Sequence, residues 1–127
     1  LSSVQTVCPV QSQVDALDDY IEHFVWGGLQ QRTDEPFPYG IYGIPDWHVL
    51  RNSENMGNGG RTHLWRPYDY PHVALMYYNM YQVAAFAENV TTRLSAVEYL
   101  RRAYGTARAM FTLPSELEGW TAYETGF

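Results

Sequence analysis

Apolar positions fall into three helical patterns separated by one long aperiodic stretch. Val14, Leu17, Ile21, Val25, Gly28 and Leu29 recur at three- and four-residue steps, which predicts an amphipathic helix over about 13–29. Ser12 is its expected N-cap, with Asp15 three residues on. Asp15, Asp18, Asp19 and Glu22 fill the early positions, where negative charge suits the helix dipole. Gly27-Gly28 is expected to end or loosen this helix. A second helix is expected over about 71–87, opened by Pro71, whose missing N–H costs nothing in a first turn. From Val73 to Phe86 its residues are apolar or aromatic on nearly every side, the pattern of a helix buried on several faces. A third is expected over about 93–111, capped by Thr92 or, one turn later, by a Ser95/Glu98 capping box. Its stripe is read as Leu94, Val97, Leu100, Tyr104, Ala107 and Met110/Phe111, with Arg93, Arg101 and Arg108 on a wetter face. Pro114 is expected to stop it.

Between the first two helices, residues 32–70 hold neither helical nor strand period. Prolines and glycines interrupt them throughout, and Asn52 to Gly60 is rich in asparagine and glycine. Phe37, Tyr39, Ile41, Tyr42, Ile44, Trp47, Val49 and Leu50 are too apolar to stay solvated, so this loop is expected to pack down. Loops of this length in compact chains are often functional. The fold class is therefore all-α, as one segment over 1–127 with a long ordered aromatic loop.

Composition narrows the functions. The 127 residues carry a formal charge of −6, which argues against a general nucleic-acid binder. All the basic residues are arginine, a weak hint of an extracellular setting. Cys8 is the single cysteine, so no disulfide closes within the chain. No apolar run approaches the ~20 residues that span a bilayer. Asn89-Val90-Thr91 is an N-glycosylation sequon, so Asn89 is a candidate modification site in a secreted protein. Eleven tyrosines and four tryptophans form the main compositional signal.

The aromatic residues gather with polar groups in Arg61–Tyr81, RTHLWRPYDYPHVALMYYNMY. Sugars present apolar C–H faces, which flat rings cover, and hydroxyls, which Asp, Arg, His and Tyr bond. Trp47, Trp65, Tyr68 and Tyr70, with Asp46, His48, Arg66, Asp69 and His72, supply both kinds. The bland alternative is that the rings only pack the loop. Glycoside hydrolysis needs two carboxyl groups across the scissile bond. Asp69 and Asp46 are the aromatic-flanked loop carboxylates, and Glu124 is a third candidate. The ordinary alternative for Asp69 is to cap the second helix or to join an ion pair, and for Asp46 to pair with an arginine such as Arg66. Asp46, His48, His63, Asp69 and His72 match no strong zinc spacing, so no metal is expected. No phosphate loop, dinucleotide fingerprint or nucleophile elbow implies a cofactor.

VWGGLQ (Val25–Gln30), PYGIYGIPDW (Pro38–Trp47) and WRPYDYPHVALMYYNMYQVA (Trp65–Ala84) resemble a large family of secreted fungal and bacterial proteins. Those proteins look related to six-hairpin, (α/α)6-toroid glycosidases. The resemblance spans roughly 15–127, with WRPYDYPH its most specific part. It implies a secreted, carbohydrate-active protein, of which this chain is one fragment of an incomplete toroid. The expected partners are a carbohydrate and the rest of the same protein or neighbouring chains, with no nucleic acid and no membrane. The first expectation is a glycoside hydrolase with Asp69 and Asp46 as acid/base pair, Trp47, Trp65 and Tyr68 stacking, and Arg66, Tyr70 and His72 bonding. The alternatives are a polysaccharide lyase using Tyr68 or His72 as base and Arg66 as clamp, and a non-catalytic sugar-binding or structural module. A helix apolar all round with two helical neighbours also predicts an uncovered apolar surface.

Overall fold

A computed structural model describes residues 10–43, 64 and 67–118, with side chains as far as 114. Among these residues the protein is all-α. Helix α1 is Gln11–Tyr20, α2 is Tyr70–Phe86 and α3 is Ala96–Glu118. No described helix is long and apolar enough to cross a membrane.

The apolar face expected of α1 is the one it buries. Val14, Leu17, Ile21 and Val25 meet Tyr77, Met80 and Val83 of α2 and Tyr99 and Ala103 of α3 in one core. The chain continues past Tyr20 as a π-helical turn, Ile21–Val25, in which Trp26 N–H reaches Ile21 O at 2.7 Å. This ends the helix at Val25, earlier than the expected 29. Gly27 then takes a φ of 85°, a left-handed turn that suits glycine. The start also differs from expectation. The N-cap is Val10, with no side-chain cap, and Ser12 lies inside the helix.

Helix α2 follows its expected span to within a residue. Tyr70, Tyr77, Asn79, Met80 and Val83 are buried, whereas Leu75, Tyr78 and Phe86 are exposed. Two described helices cover one side of it, and the remaining apolar side faces outward.

Helix α3 departs from its expected form in two ways. Its start follows the second of the two expected caps, Ser95: Glu98 N–H bonds Ser95 Oγ at 3.3 Å, and Tyr99 N–H bonds Ser95 O at 3.2 Å, so the departures are its end and its rotation. Pro114 does not stop it. Proline's fixed φ is compatible with a helix. An interior proline loses one N–H bond and crowds the carbonyl four residues back, here that of Met110; Leu113 and Pro114 are both buried at this point, so the helix continues where the chain is packed. The second departure is rotational. The face turned inward carries Tyr99, Arg102, Ala103, Thr106, Ala109 and Leu113. Of the expected stripe, Val97, Leu100, Tyr104 and Phe111 face outward, Ala107 is half-buried, and Leu94 and Met110 pack against the two clusters.

The described start of the long loop packs down, as its apolar content requires. Gln30 and Ile41 form an antiparallel bridge. Tyr39 N–H bonds Gln31 O at 3.0 Å, Gln31 N–H bonds Gly40 O at 2.8 Å and Tyr42 N–H bonds Leu29 O at 3.0 Å. Ile41 then joins Tyr70, Ala109 and Leu113 in a second cluster, which fixes the loop against the start of α2.

Candidate functional site

The entrance of α2 gathers the described members of the expected site. Pro67–Asp69 forms a 3-10 turn that runs straight into the helix. Pro67 is buried, Tyr68 is exposed and Asp69 is half-buried. His72, one helical turn from Asp69, is exposed. Tyr68 and His72 are thus both open to solvent at the end of α2 where the helix dipole is positive, whereas the Oδ2 of Asp69 is buried.

Asp69 stands at the N-cap position without capping. Its backbone is helical, φ −79° and ψ −21°, and its side chain makes no cap bond. A capping side chain folds back from an extended residue. The preceding 3-10 turn removes that geometry, so the capping alternative for Asp69 fails.

Tyr70, expected to contact sugar, is instead a strut. It is fully buried; its hydroxyl donates to Leu64 O at 2.5 Å and accepts from Ile41 N–H at 3.2 Å. One side chain on the first turn of α2 therefore ties down two separate loop segments. Burial, chiefly, holds its phenol well above the ordinary tyrosine range. A group so enclosed positions its neighbours and does not meet a ligand. Asp46, Trp47, His48, His63, Trp65, Arg66 and Glu124 lie outside the described residues. The sequon residue Asn89 is exposed in the bend between α2 and α3.

A second constellation, which periodicity does not reveal, lies on α3. Tyr39 has a φ of 67°, unusual for a residue with a side chain. Its ring lies over Gly105, where an added Cβ would come within 2.5 Å of the ring carbons. Burial raises the Tyr39 phenol above its ordinary range, and the Glu98 charge adds to this. Beside the ring runs an open groove of about 320 Å3, with Pro38 and Tyr39 on one side and Arg101, Tyr104 and Arg108 on the other. Behind Tyr39 lies Arg102, 6% exposed, its Cζ 4.0 Å from the Trp26 ring centroid and 5.8 Å from that of Tyr77. Its Nε and Nη1 make no hydrogen bond. Ring faces stabilise this cation in place of a carboxylate. The one legible signal was Gly105, since a glycine inside a helical pattern often marks a close approach.

Among the described residues, no three side chains of the metal-ligating types come together. Residues 47–124 match a family of unknown function, DUF5695. That span holds the entrance of α2, all of α2 and α3, and the expected carboxylates Asp69 and Glu124. No curated protein and no solved structure matches the chain.

Proposed function

The chain belongs to the DUF5695 family, whose function is unknown, and on that footing we propose that it is part of a secreted carbohydrate-active protein, a glycoside hydrolase. One observation carries the reading: a half-buried aspartate whose side chain does not cap the helix lies at its entrance, between an exposed tyrosine and an exposed histidine in the sequence. The Tyr68 ring covers a sugar C–H face, and His72 bonds its hydroxyls. Asp69 and Asp46 form the acid/base pair on either side of the scissile bond. The exposed Asn89 suits a glycosylated, secreted chain. The outward apolar side of α2 suits a helix with further neighbours, as in an (α/α)6 toroid.

The test is digestion of a panel of oligosaccharides by the intact protein, followed by chromatography. Asp69→Asn is expected to lower turnover about a hundredfold or more, the usual worth of a positioned acid or base. Unchanged turnover removes Asp69 from the mechanism. New ultraviolet absorbance on uronic-acid polymers identifies elimination and a lyase. Binding without turnover on every substrate identifies a non-catalytic module.

A further inference from the structure

We propose that the outer face of α3 docks an amphipathic helix from outside this chain, one that carries carboxylates beside its apolar stripe. The apolar residues on that face are not scattered. Val97, Leu100, Tyr104, Ala107 and Phe111 follow spacings of three, four, three and four, the a/d repeat of a helix–helix seam. The four large ones are 62%, 40%, 67% and 56% exposed. A helix normally turns such a stripe inward. Here the opposite face, with Arg102 and Thr106, is buried in its place.

Charge identifies the occupant. With Val97 at an a position, Arg101 and Arg108 fall at the two e positions that flank the seam. Both arginines also edge the groove against Tyr39, floored by Gly105 and Ala109. That groove is a recess for an anchoring side chain, with two cations among its lining residues. Arg101 holds Glu98 at 2.6 Å in an exposed pair, a weak contact that an incoming carboxylate displaces at little cost.

A second copy of α3 does not fit. In a parallel pair Arg101 and Arg108 would face Ala96 and Ala103, and in an antiparallel pair they would face each other. The chain's own acidic helix, α1, is the weaker rival, because Asp18 is buried and accepts from Tyr99 and from Arg93 N–H. Asp15 and Asp19 make only exposed contacts, with Gln11 and Arg93, so a second copy's α1 is an outcome that the test must separate.

The test uses two synthetic helical peptides with leucine at every a and d position, one with glutamate and one with lysine at the flanking positions. Their binding to the full chain is read by fluorescence anisotropy at low salt. The glutamate peptide is expected to bind roughly tenfold more tightly, about the worth of two exposed charge pairs made instead of repelled. The difference should shrink as salt is added. Arg101→Glu with Arg108→Glu should reverse the preference. Tyr104→Ser with Phe111→Ser should weaken both peptides while circular dichroism stays unchanged. Equal binding, no binding, or a preference that survives the arginine reversal overturns the proposal. Concentration-dependent dimerisation lost both on Tyr20→Ser, on the exposed side of α1, and on Tyr104→Ser with Phe111→Ser would seat α1 of a second copy on this face and overturn it as well.

Discussion

The two faces of α3 run along the same helix and obey opposite rules. The outer face carries Val97, Leu100, Tyr104 and Phe111, the residues that hydropathy alone would bury. The inner face carries Tyr99, Arg102, Ala103, Thr106 and Ala109. Two properties of the inner face decide the rotation. Its alanines and threonine are small, so α2 can come close. Its polar groups also have specific partners. The Thr106 hydroxyl accepts from Gln30 Nε2 at 2.7 Å and donates to Arg102 O at 2.7 Å, while the Gln30 amide oxygen accepts from Tyr77 at 2.8 Å. Tyr99 donates to Asp18, whose carboxylate also accepts Arg93 N–H at 2.9 Å. Each buried bond contributes only about 0.5–1.5 kcal/mol, but a buried group left without its partner costs about 1–3 kcal/mol. A chain of such groups specifies one rotation of α3 more sharply than a stripe of interchangeable apolar residues does.

The contrast breaks most directly at a pair of tyrosines. Tyr77→Ala should cost about 3–5 kcal/mol, because it empties a fully buried ring site and strands the Gln30 oxygen. Tyr104→Ala, on the outer face, should stay within about 0.5 kcal/mol. Urea unfolding of both variants measures the ratio. Equal losses would mean that the outer face is covered in solution, and the distinction between the faces would fail.

Alkaline pH tests the buried side without mutation. Burial raises the pKa of Tyr70 and Tyr77 above the unfolded value of about 10. The neutral phenol is the form the fold favours, so this stability is fully present below about pH 10. It is lost as pH rises toward the folded values, at about 1.4 kcal/mol per pH unit for each tyrosine. The tyrosinate absorbance of these two should appear together with the loss of helical circular dichroism. Ionisation of every tyrosine in a chain that stays helical would contradict their burial.

Much of the helical frame was legible from the chain itself. The α1 face of Val14, Leu17, Ile21 and Val25 and the span of α2 follow from period and from Pro71. The errors share a physical origin. Pro114 stays helical where the chain is packed, and α3 is rotated because its inner face is chosen by size and hydrogen bonding, which hydropathy does not record. At the α2 entrance, Tyr68 and His72, both expected to contact sugar, are exposed. Tyr70 is the same residue type two positions from Tyr68, yet it is a buried strut. Only the positions of Leu64 O and Ile41 N–H separate the two roles. For the Tyr39 groove only one wall is legible, at Gly105; nothing local to Tyr39 announces the left-handed backbone of the other.

The smallest effect is the sharpest test of the boundary between the faces, and it lies at Gly105. Two terms of opposite sign meet there. Replacing a glycine in a helix interior by alanine gains about 1 kcal/mol in backbone entropy. The new Cβ would lie 2.5 Å from the Tyr39 ring, and overpacking of that kind costs about 1–3 kcal/mol. The ring cannot yield easily, because its backbone is already held at φ 67° and Gln30 Nε2 bonds its carbonyl at 3.1 Å. Gly105→Ala should therefore destabilise by about 1 kcal/mol net. Tyr39→Gly removes the ring and suits the left-handed backbone. In that background Gly105→Ala should change sign and stabilise, by up to about 1 kcal/mol. Denaturant unfolding of the wild type, both single variants and the double variant completes the cycle. If Gly105→Ala has the same effect with and without the Tyr39 ring, the two residues do not touch, and the wall of the groove is not where the structure places it.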